Sequence, residues 1–151
     1  MRTIGFLFGM YLSVAALAQK KQIVFVCEHG SAKSVIAATY FNKLAKEKNI
    51  QWEAIARGTD PDAEVSPKTK KLLSSEGLLD ASIVPQKIAQ ADVDAAQKII
   101  LFFPLPETIN GRRKVSNLLE VQAVNEDFQK LRDDIVSKIM PMIDSLAKQK
   151  R

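Results

Sequence analysis

The sequence predicts an α/β fold: a three-layer sandwich with a small parallel sheet. Short apolar segments alternate along the chain with segments whose apolar residues recur every three or four positions, as in strands that alternate with helices. One apolar segment, residues 98–103 (KIILFF), is almost continuously hydrophobic, which is typical of a central parallel strand covered on both faces. No repeat or low-complexity tract interrupts this alternation.

The first strand and the first helix follow directly from residue type. Residues 23–26 (IVFV) are apolar and mostly β-branched or aromatic, so they predict a buried strand. A short loop then leads into a helix from Ser34 to about Lys48, which carries a wide apolar face and ends near Asn49. Residues 51–57 alternate between apolar and polar side chains and predict a second strand.

The middle of the chain predicts two further helices. Ser66 and Pro67 form a helix start, with Ser66 as the cap and Pro67 at the first helical position. This helix should end at Gly77, since glycine readily takes the left-handed conformation that closes helices. Residues 89–97 predict a short helix before the strand at 98–103.

The last part of the chain predicts a strand and a long helix. A fourth strand is expected around residues 118–121. Apolar residues at three- and four-residue spacing predict a helix over residues 128–146. Pro141 is expected to kink that helix or to end its regular part.

The N-terminus reads as an export signal ahead of one domain. Arg2 precedes an apolar run over residues 4–17, and Ala16-Leu17-Ala18 is an A-x-A cleavage pattern. We therefore expect a signal peptide over residues 1–18, one domain over residues 19–151, and a periplasmic or extracellular location. An uncleaved anchor or an extra core helix are the alternatives. After cleavage no stable membrane span is expected.

Composition excludes some classes of function. The chain has 151 residues, 46% of them hydrophobic and 26% charged, enough for a single hydrophobic core. Its net charge of +5 suits small anionic ligands or simply solubility. No dense basic stripe with interleaved aromatic residues is present, so the sequence does not predict a nucleic-acid partner.

The turn after the first strand has the composition of an anion-binding cradle. Cys27 ends the strand, Gly30 lies in the loop, and a helix opens near Ser34. Loop N–H groups and a helix N-terminus together attract an anion, and the same field favours the thiolate form of a cysteine at that place. Cys27 is the single cysteine of the chain, so it is either a nucleophile or a buried structural residue.

The segment V-F-V-C-x5-K-S resembles the signature of the low-molecular-weight protein tyrosine phosphatases and of the arsenate reductases that share their fold. That signature is Cys-x5-Arg-Ser, and this chain has Lys33 at the arginine position. The resemblance continues through residues 56–59 and 65–67 and covers about residues 22–147. It implies a low-molecular-weight phosphatase-like fold.

The resemblance implies roles for the loop residues. Cys27 would be the nucleophile, Gly30 would supply a left-handed backbone conformation, and Ser34 would hydrogen-bond the thiolate unless it is only a helix cap. Cys27, Lys33 and Ser34 form the implied catalytic set. The implied phosphate-binding residues are Glu28, His29, Gly30, Ser31, Ala32, Lys33 and Ser34, with the side chains of Glu28 and His29 expected to point outward.

Two departures from the family pattern bear on activity. Lysine offers a point charge without the planar fork of arginine, so Lys33 should cost roughly two to three decades in rate if it stays in the site. The phosphatases also carry an Asp-Pro acid before the last helix, and this chain does not. Glu126 and Asp127 are the candidate general acids, although capping by Asn125 and first-turn acids explain the same pattern.

The predicted function is therefore cysteine-dependent dephosphorylation through a thiol-phosphate intermediate. The alternatives are a single-cysteine arsenate reductase that uses an external thiol and a catalytically weak phosphate-binding module. The expected partners are a phosphate or arsenate oxyanion and, for the phosphatase, a phosphorylated protein. No cofactor and no metal are predicted.

Overall fold

The computed structural model of the chain describes residues 20–111, 114–118, 120–121 and 127–149. Four parallel strands form one sheet in the order β2-β1-β3-β4. Their bounds are β1 Lys21–Cys27, β2 Trp52–Gly58, β3 Lys98–Leu101 and β4 Val115–Leu118. The predicted signal peptide lies outside the described residues.

Four helices connect and follow these strands. Their bounds are α1 Lys33–Glu47, α2 Pro67–Ser75, α3 Gln90–Ala95 and α4 Phe128–Lys148. Each matches a helix predicted from the sequence to within a few residues. Among the described residues no helix is both long and apolar enough to cross a bilayer.

The side chains of β1 divide between two hydrophobic clusters, one on each face of the sheet. Ile23 and Phe25 pack with α1, α2 and α4, whereas Val24 and Val26 pack with α3. All four are fully buried, and each such side chain contributes about 1.5–3 kcal/mol to folding. Helices therefore cover both faces of the strand that ends at Cys27, which confirms the predicted α/β architecture.

The outer edge of β2 is occupied by groups from elsewhere in the chain. The side-chain amide of Asn42 on α1 donates to the Ala54 carbonyl at 2.9 Å and accepts from the Ala54 N–H at 2.7 Å. At the end of the strand, Gly58 donates to the Gln86 carbonyl and accepts from the Ile88 N–H. This covered edge holds β2, and the loop that follows it, against the rest of the sheet.

One element differs from the sequence-based expectation. The fourth strand is Val115–Leu118, several residues earlier than expected, because Val115 aligns with Ile99 of β3 through an irregular register. The last helix includes Pro141 and continues to Lys148, as expected for a helix over residues 128–146, and the expected kink at Pro141 stays a prediction. Pro141 is exposed, so its ring faces solvent, while its lack of an N–H removes one hydrogen bond of the helix.

Candidate active site

Cys27 lies at the carboxyl end of the central strand, where open α/β sheets place their ligands. The residue is 6% exposed, and its Sγ atom accepts a hydrogen bond from the Gly30 N–H at 3.2 Å. The Ser34 hydroxyl lies 3.0 Å from the same sulfur. The sulfur thus has a backbone N–H and a hydroxyl group within hydrogen-bond distance, at the end of a strand that feeds a helix.

The carbonyl groups of the loop after Cys27 point away from the sulfur. They accept hydrogen bonds from the main chain of residues 59–66. The pairs are Thr59 N–H to Cys27 O (3.0 Å), Asp60 N–H to Glu28 O (2.9 Å), Asp62 N–H to His29 O (3.0 Å) and Ser66 N–H to Ser31 O (3.1 Å). In a trans peptide the following N–H points the opposite way, so the amides of Glu28, His29, Gly30 and Ala32 face away from the 59–66 segment. This is the backbone arrangement of an anion cradle.

The N-terminus of α1 opens beside this loop without a side-chain cap. Ala32 is the N-cap residue, and its methyl group cannot accept a hydrogen bond from the first turn. Ser34, which is fully buried, directs its hydroxyl to Cys27 and not to the helix terminus. The first-turn N–H groups are thus free of side-chain acceptors and add the positive end of the helix dipole to the cradle.

Gly30 and Gly58 meet where the two loops touch. Gly30 has a φ of +61°, the left-handed conformation expected from the sequence. A Cβ atom on Gly30 would lie 3.0 Å from the Gly58 nitrogen, and one on Gly58 would lie 2.8 Å from the Gly30 nitrogen. Only a glycine pair allows this approach, because real Cβ atoms do not come so close to backbone.

The side chains of Glu28 and His29 are exposed, as expected. The His29 ring lies between two carboxylates, with Nε2 3.6 Å from Glu28 and Nδ1 3.7 Å from Asp62. Ser31 is buried and donates its hydroxyl hydrogen to Asp62 at 2.5 Å. No local sequence pattern predicts these roles for Gly58, Asp62 or the hydroxyl of Ser31.

Lys33 is the first residue of α1 and is half-buried. Its ammonium group donates to the Val121 carbonyl at 3.4 Å. Val121 belongs to the segment that leads towards α4, so the lysine links the loop to that segment. An ammonium group has three donors, and this contact leaves two of them for an anion.

The candidate acid Asp127 serves as the N-cap of α4. Its carboxylate accepts the N–H groups of Gln129 and Lys130, each at 3.0 Å. The hydrogen bond from the Lys130 N–H lowers the pKa of Asp127. Because a general acid must hold a proton at the working pH, this geometry favours a helix cap over an acid. Glu126 and Asn125 lie outside the described residues.

The described part of the chain contains no group of three or more histidine, cysteine or acidic side chains that could hold a metal ion. What the geometry provides is one sulfur, a ring of backbone amides and a helix N-terminus. These groups can bind a tetrahedral oxyanion and attack its central atom.

Comparison with known proteins agrees with this geometry. The family model of the low molecular weight phosphotyrosine protein phosphatases matches residues 22–103, more than half of the chain. The chain belongs to this family. Its members are cysteine-dependent phosphatases or arsenate reductases. No curated protein sequence gives a significant match.

Solved structures show the same fold. YfkJ from Bacillus subtilis is 18% identical with a TM-score of 0.74, covering 87% of this chain and 98% of its own. The low molecular weight protein tyrosine phosphatase of T. tengcongensis is 17% identical with a TM-score of 0.67, covering 86% and 99%. The arsenate reductase of Archaeoglobus fulgidus is 24% identical with a TM-score of 0.64, covering 81% and 98%.

Proposed function

We propose that the protein is a phosphatase that removes phosphoryl groups through a thiol-phosphate intermediate on Cys27. One observation carries this proposal: Cys27 Sγ accepts the Gly30 N–H and adjoins the Ser34 hydroxyl inside a loop whose carbonyls are turned away. A sulfur in that setting faces the central atom of any anion held by the amides and can attack it.

In the first step the Cys27 thiolate attacks phosphorus in line with the leaving oxygen. A sulfur–phosphorus bond forms as the phosphorus–oxygen bond breaks, and the leaving oxygen departs with the electron pair and takes a proton. The amides of the loop and the first turn of α1 hold the three remaining oxygens, on which negative charge develops.

In the second step a water molecule attacks the phosphorus, the sulfur–phosphorus bond breaks, and the electron pair returns to Cys27. The Ser34 hydroxyl supports this step because it can donate to the sulfur as negative charge returns to it. Both protons of the attacking water leave with inorganic phosphate, and Cys27 keeps the electron pair.

Lys33 adds a positive charge at the entry of α1 and attracts the dianion, but it lacks the two parallel donors of arginine. We therefore expect a slower enzyme than a member with arginine at this position. The capping role of Asp127 also fits slow turnover, since leaving-group protonation then depends on another group or on solvent.

The test is hydrolysis of p-nitrophenyl phosphate by the purified chain and by the Cys27→Ser and Ser34→Ala variants. We expect no turnover in Cys27→Ser and a phosphorylated enzyme that persists longer in Ser34→Ala, seen by mass spectrometry after acid quench. Ser82→Ala, a matched change at an exposed serine, should match the parent. Turnover that survives Cys27→Ser contradicts the proposal.

Arsenate reduction is the second candidate, favoured by the commitment of Asp127 to the helix cap. Cys27 would form a sulfur–arsenic bond to arsenate with loss of water. An external thiol would then attack the Cys27 sulfur, and the sulfur–arsenic electron pair would stay on arsenic as it is reduced from As(V) to As(III). A second external thiol would release Cys27 from the mixed disulfide, since the chain has no other cysteine.

Two measurements separate the candidates. Arsenite release that requires an added thiol supports the reductase, and p-nitrophenol release without a thiol supports the phosphatase. Neither activity, together with a rise in Tm on addition of inorganic phosphate, indicates a phosphate-binding module.

The proposed location is outside the cytoplasm. The support is the charged start, apolar run and A-x-A pattern of residues 1–18. Cell fractionation and N-terminal sequencing test it: a mature protein that begins at Gln19 is expected, and a cytoplasmic protein that begins at Met1 contradicts the proposal.

A further inference from the structure

Asp62 contacts the residues on both sides of Gly30. Its N–H donates to the His29 carbonyl at 3.0 Å, and its Oδ1 atom lies 3.7 Å from His29 Nδ1. Its Oδ2 atom accepts the Ser31 hydroxyl at 2.5 Å, and Ser31 is only 3% exposed. One aspartate, which lies outside the loop, thus holds both neighbours of the residue that donates to the Cys27 sulfur.

Gly30 needs such support more than any other residue of the loop. Glycine reaches the left-handed region without strain, but for the same reason it can leave that region for many other conformations. If Gly30 rotates, its N–H no longer points at Cys27 Sγ, and the sulfur loses its backbone donor. The two flanking peptide groups therefore have to be fixed from outside.

The peptide groups of the loop share an orientation that has an electrostatic cost. The N–H groups of Glu28, His29, Gly30 and Ala32 face away from the 59–66 segment, and partial charges of the same sign that lie close together repel one another. Main-chain hydrogen bonds from residues 59–66 hold the carbonyl ends of these peptides and offset the repulsion. The Ser31–Asp62 bond is the side-chain contact that adds to this main-chain set next to Gly30.

We propose that Asp62 is a positioning residue that keeps the phosphate-binding loop in its anion-receptive form through the Ser31 hydroxyl. The inference rests on the proposed function of the loop and extends it to a residue outside the loop. Asp62 acts on the sulfur through Ser31 and Gly30 and does not itself touch the substrate.

The test measures the rate of alkylation of Cys27 by iodoacetamide as a function of pH. Cys27 is the single cysteine, so the label reports on this sulfur alone and needs no turnover. In Asp62→Ala and in Ser31→Ala we expect the midpoint of the rate profile to rise by about one pH unit, since the thiolate loses a well-aligned donor. Protection of Cys27 by inorganic phosphate should weaken in the same variants.

Two matched variants separate positioning from charge. Asp62→Asn keeps an oxygen that accepts the Ser31 hydroxyl, so its profile should stay close to that of the parent. Asp60→Ala removes a neighbouring acid but keeps the main-chain bond to Glu28, so it should leave the profile unchanged. The double variant Asp62→Ala/Ser31→Ala should shift the midpoint no further than either single change.

The proposal is overturned if Asp62→Ala keeps the parent profile, if Asp62→Asn behaves like Asp62→Ala, or if the double variant adds the two shifts. Circular dichroism confirms that each variant is folded. Alkylation shifts as expected without any phosphatase activity would leave the positioning role standing and refute the proposed reaction. Full phosphatase activity of the parent together with an unchanged alkylation profile in Asp62→Ala would support the proposed reaction and refute the positioning role.

Discussion

The N-termini of the three longer helices are closed in two different ways. In α2 the Ser66 side chain accepts the Thr69 N–H at 3.2 Å, and in α4 the Asp127 carboxylate accepts two N–H groups. In α1 the capping position is Ala32, and the nearby hydroxyl of Ser34 goes to the Cys27 sulfur. Two termini thus have a side-chain cap, and the third, at Ala32, has none.

This difference separates structural from functional helix ends. A side-chain cap stabilises a helix by about 1 kcal/mol, and α1 forgoes that gain. The length of α1 and its burial against β1, β2 and α4 stabilise it without a cap. The fold can therefore leave first-turn amides unpaired at the place where an anion is to bind.

The change with the largest expected effect breaks the loop that feeds α1. Gly30→Ala should destabilise the fold by about 3 kcal/mol, because the new Cβ meets the Gly58 backbone and the residue must keep a positive φ. Phosphate protection of Cys27 should be lost as well. Urea unfolding and alkylation kinetics measure the two effects.

Gly77→Ala is the matched control for this change. Gly77 also has a positive φ, but a Cβ there would meet nothing within 4 Å. We expect about 1 kcal/mol of destabilisation from backbone strain and normal phosphate protection. Equal losses in the two variants would show that crowding between the loops is unimportant.

A substitution that keeps the positive charge at Lys33 tests what the uncapped start of α1 contributes to activity. Lys33→Arg supplies the planar pair of donors that lysine lacks, so kcat for p-nitrophenyl phosphate should rise by about two to three decades. Lys43→Arg, on the exposed side of the same helix, should change nothing. A flat rate in Lys33→Arg would mean that the lysine contact with Val121 is what matters at this position.

The two kinds of helix end can be exchanged. Ser66→Ala removes the cap of α2 and should cost about 1 kcal/mol in unfolding free energy without changing phosphate affinity. Ala32→Asp offers α1 a carboxylate that competes with the ligand for the same amides. It should weaken phosphate binding by about tenfold while stability stays equal or rises. Tighter phosphate binding in Ala32→Asp would contradict our account of this terminus.

The smallest expected change in stability at neutral pH comes from Tyr40, on the side of α1 away from the loop. Tyr40 is buried and donates its hydroxyl hydrogen to Glu76, which also pairs with Arg132. Burial, with the Glu76 hydrogen bond, raises the pKa of Tyr40 to about 12. Tyr40→Phe should cost less than about 1 kcal/mol at pH 7.

The pH dependence has a defined sign. The raised pKa means that the stabilisation from Tyr40 is complete below the unfolded value of about 10 and is lost as the pH rises through about 12. Tm measured between these two values should fall less steeply in Tyr40→Phe than in the parent. Parallel curves would show that Tyr40 does not control alkaline unfolding.

Much of this architecture could be predicted because its signals are local. The order strand, Cys27, small loop and helix follows from neighbouring residues, and so does the Ser66 cap. The position of β4 could not, because it depends on how Val115 pairs with β3. The helix passes Pro141 because buried residues on both sides, Ile139 and Ile143, hold it against the core.

The segment of residues 59–66, which packs against the loop after Cys27, could not be assigned to the site from the sequence. The turn cluster after β2 is visible in the sequence, but its hydrogen bonds to the loop carbonyls join residues about thirty positions apart. Gly58 and Asp62 are ordinary turn residues until the two loops are placed side by side. Only the three-dimensional arrangement shows that a second loop fixes the shape of the first.

The covered edge of β2 affects how the protein should behave at high protein concentration. Outward-facing backbone groups of a border strand normally invite pairing with another chain. Here Asn42 occupies both groups of Ala54, the Arg57 side chain takes the Ala56 carbonyl, and residues 86 and 88 occupy Gly58. The border closest to the nucleophile is thereby closed to intermolecular β-sheet growth, so crowding should not drive aggregation along it.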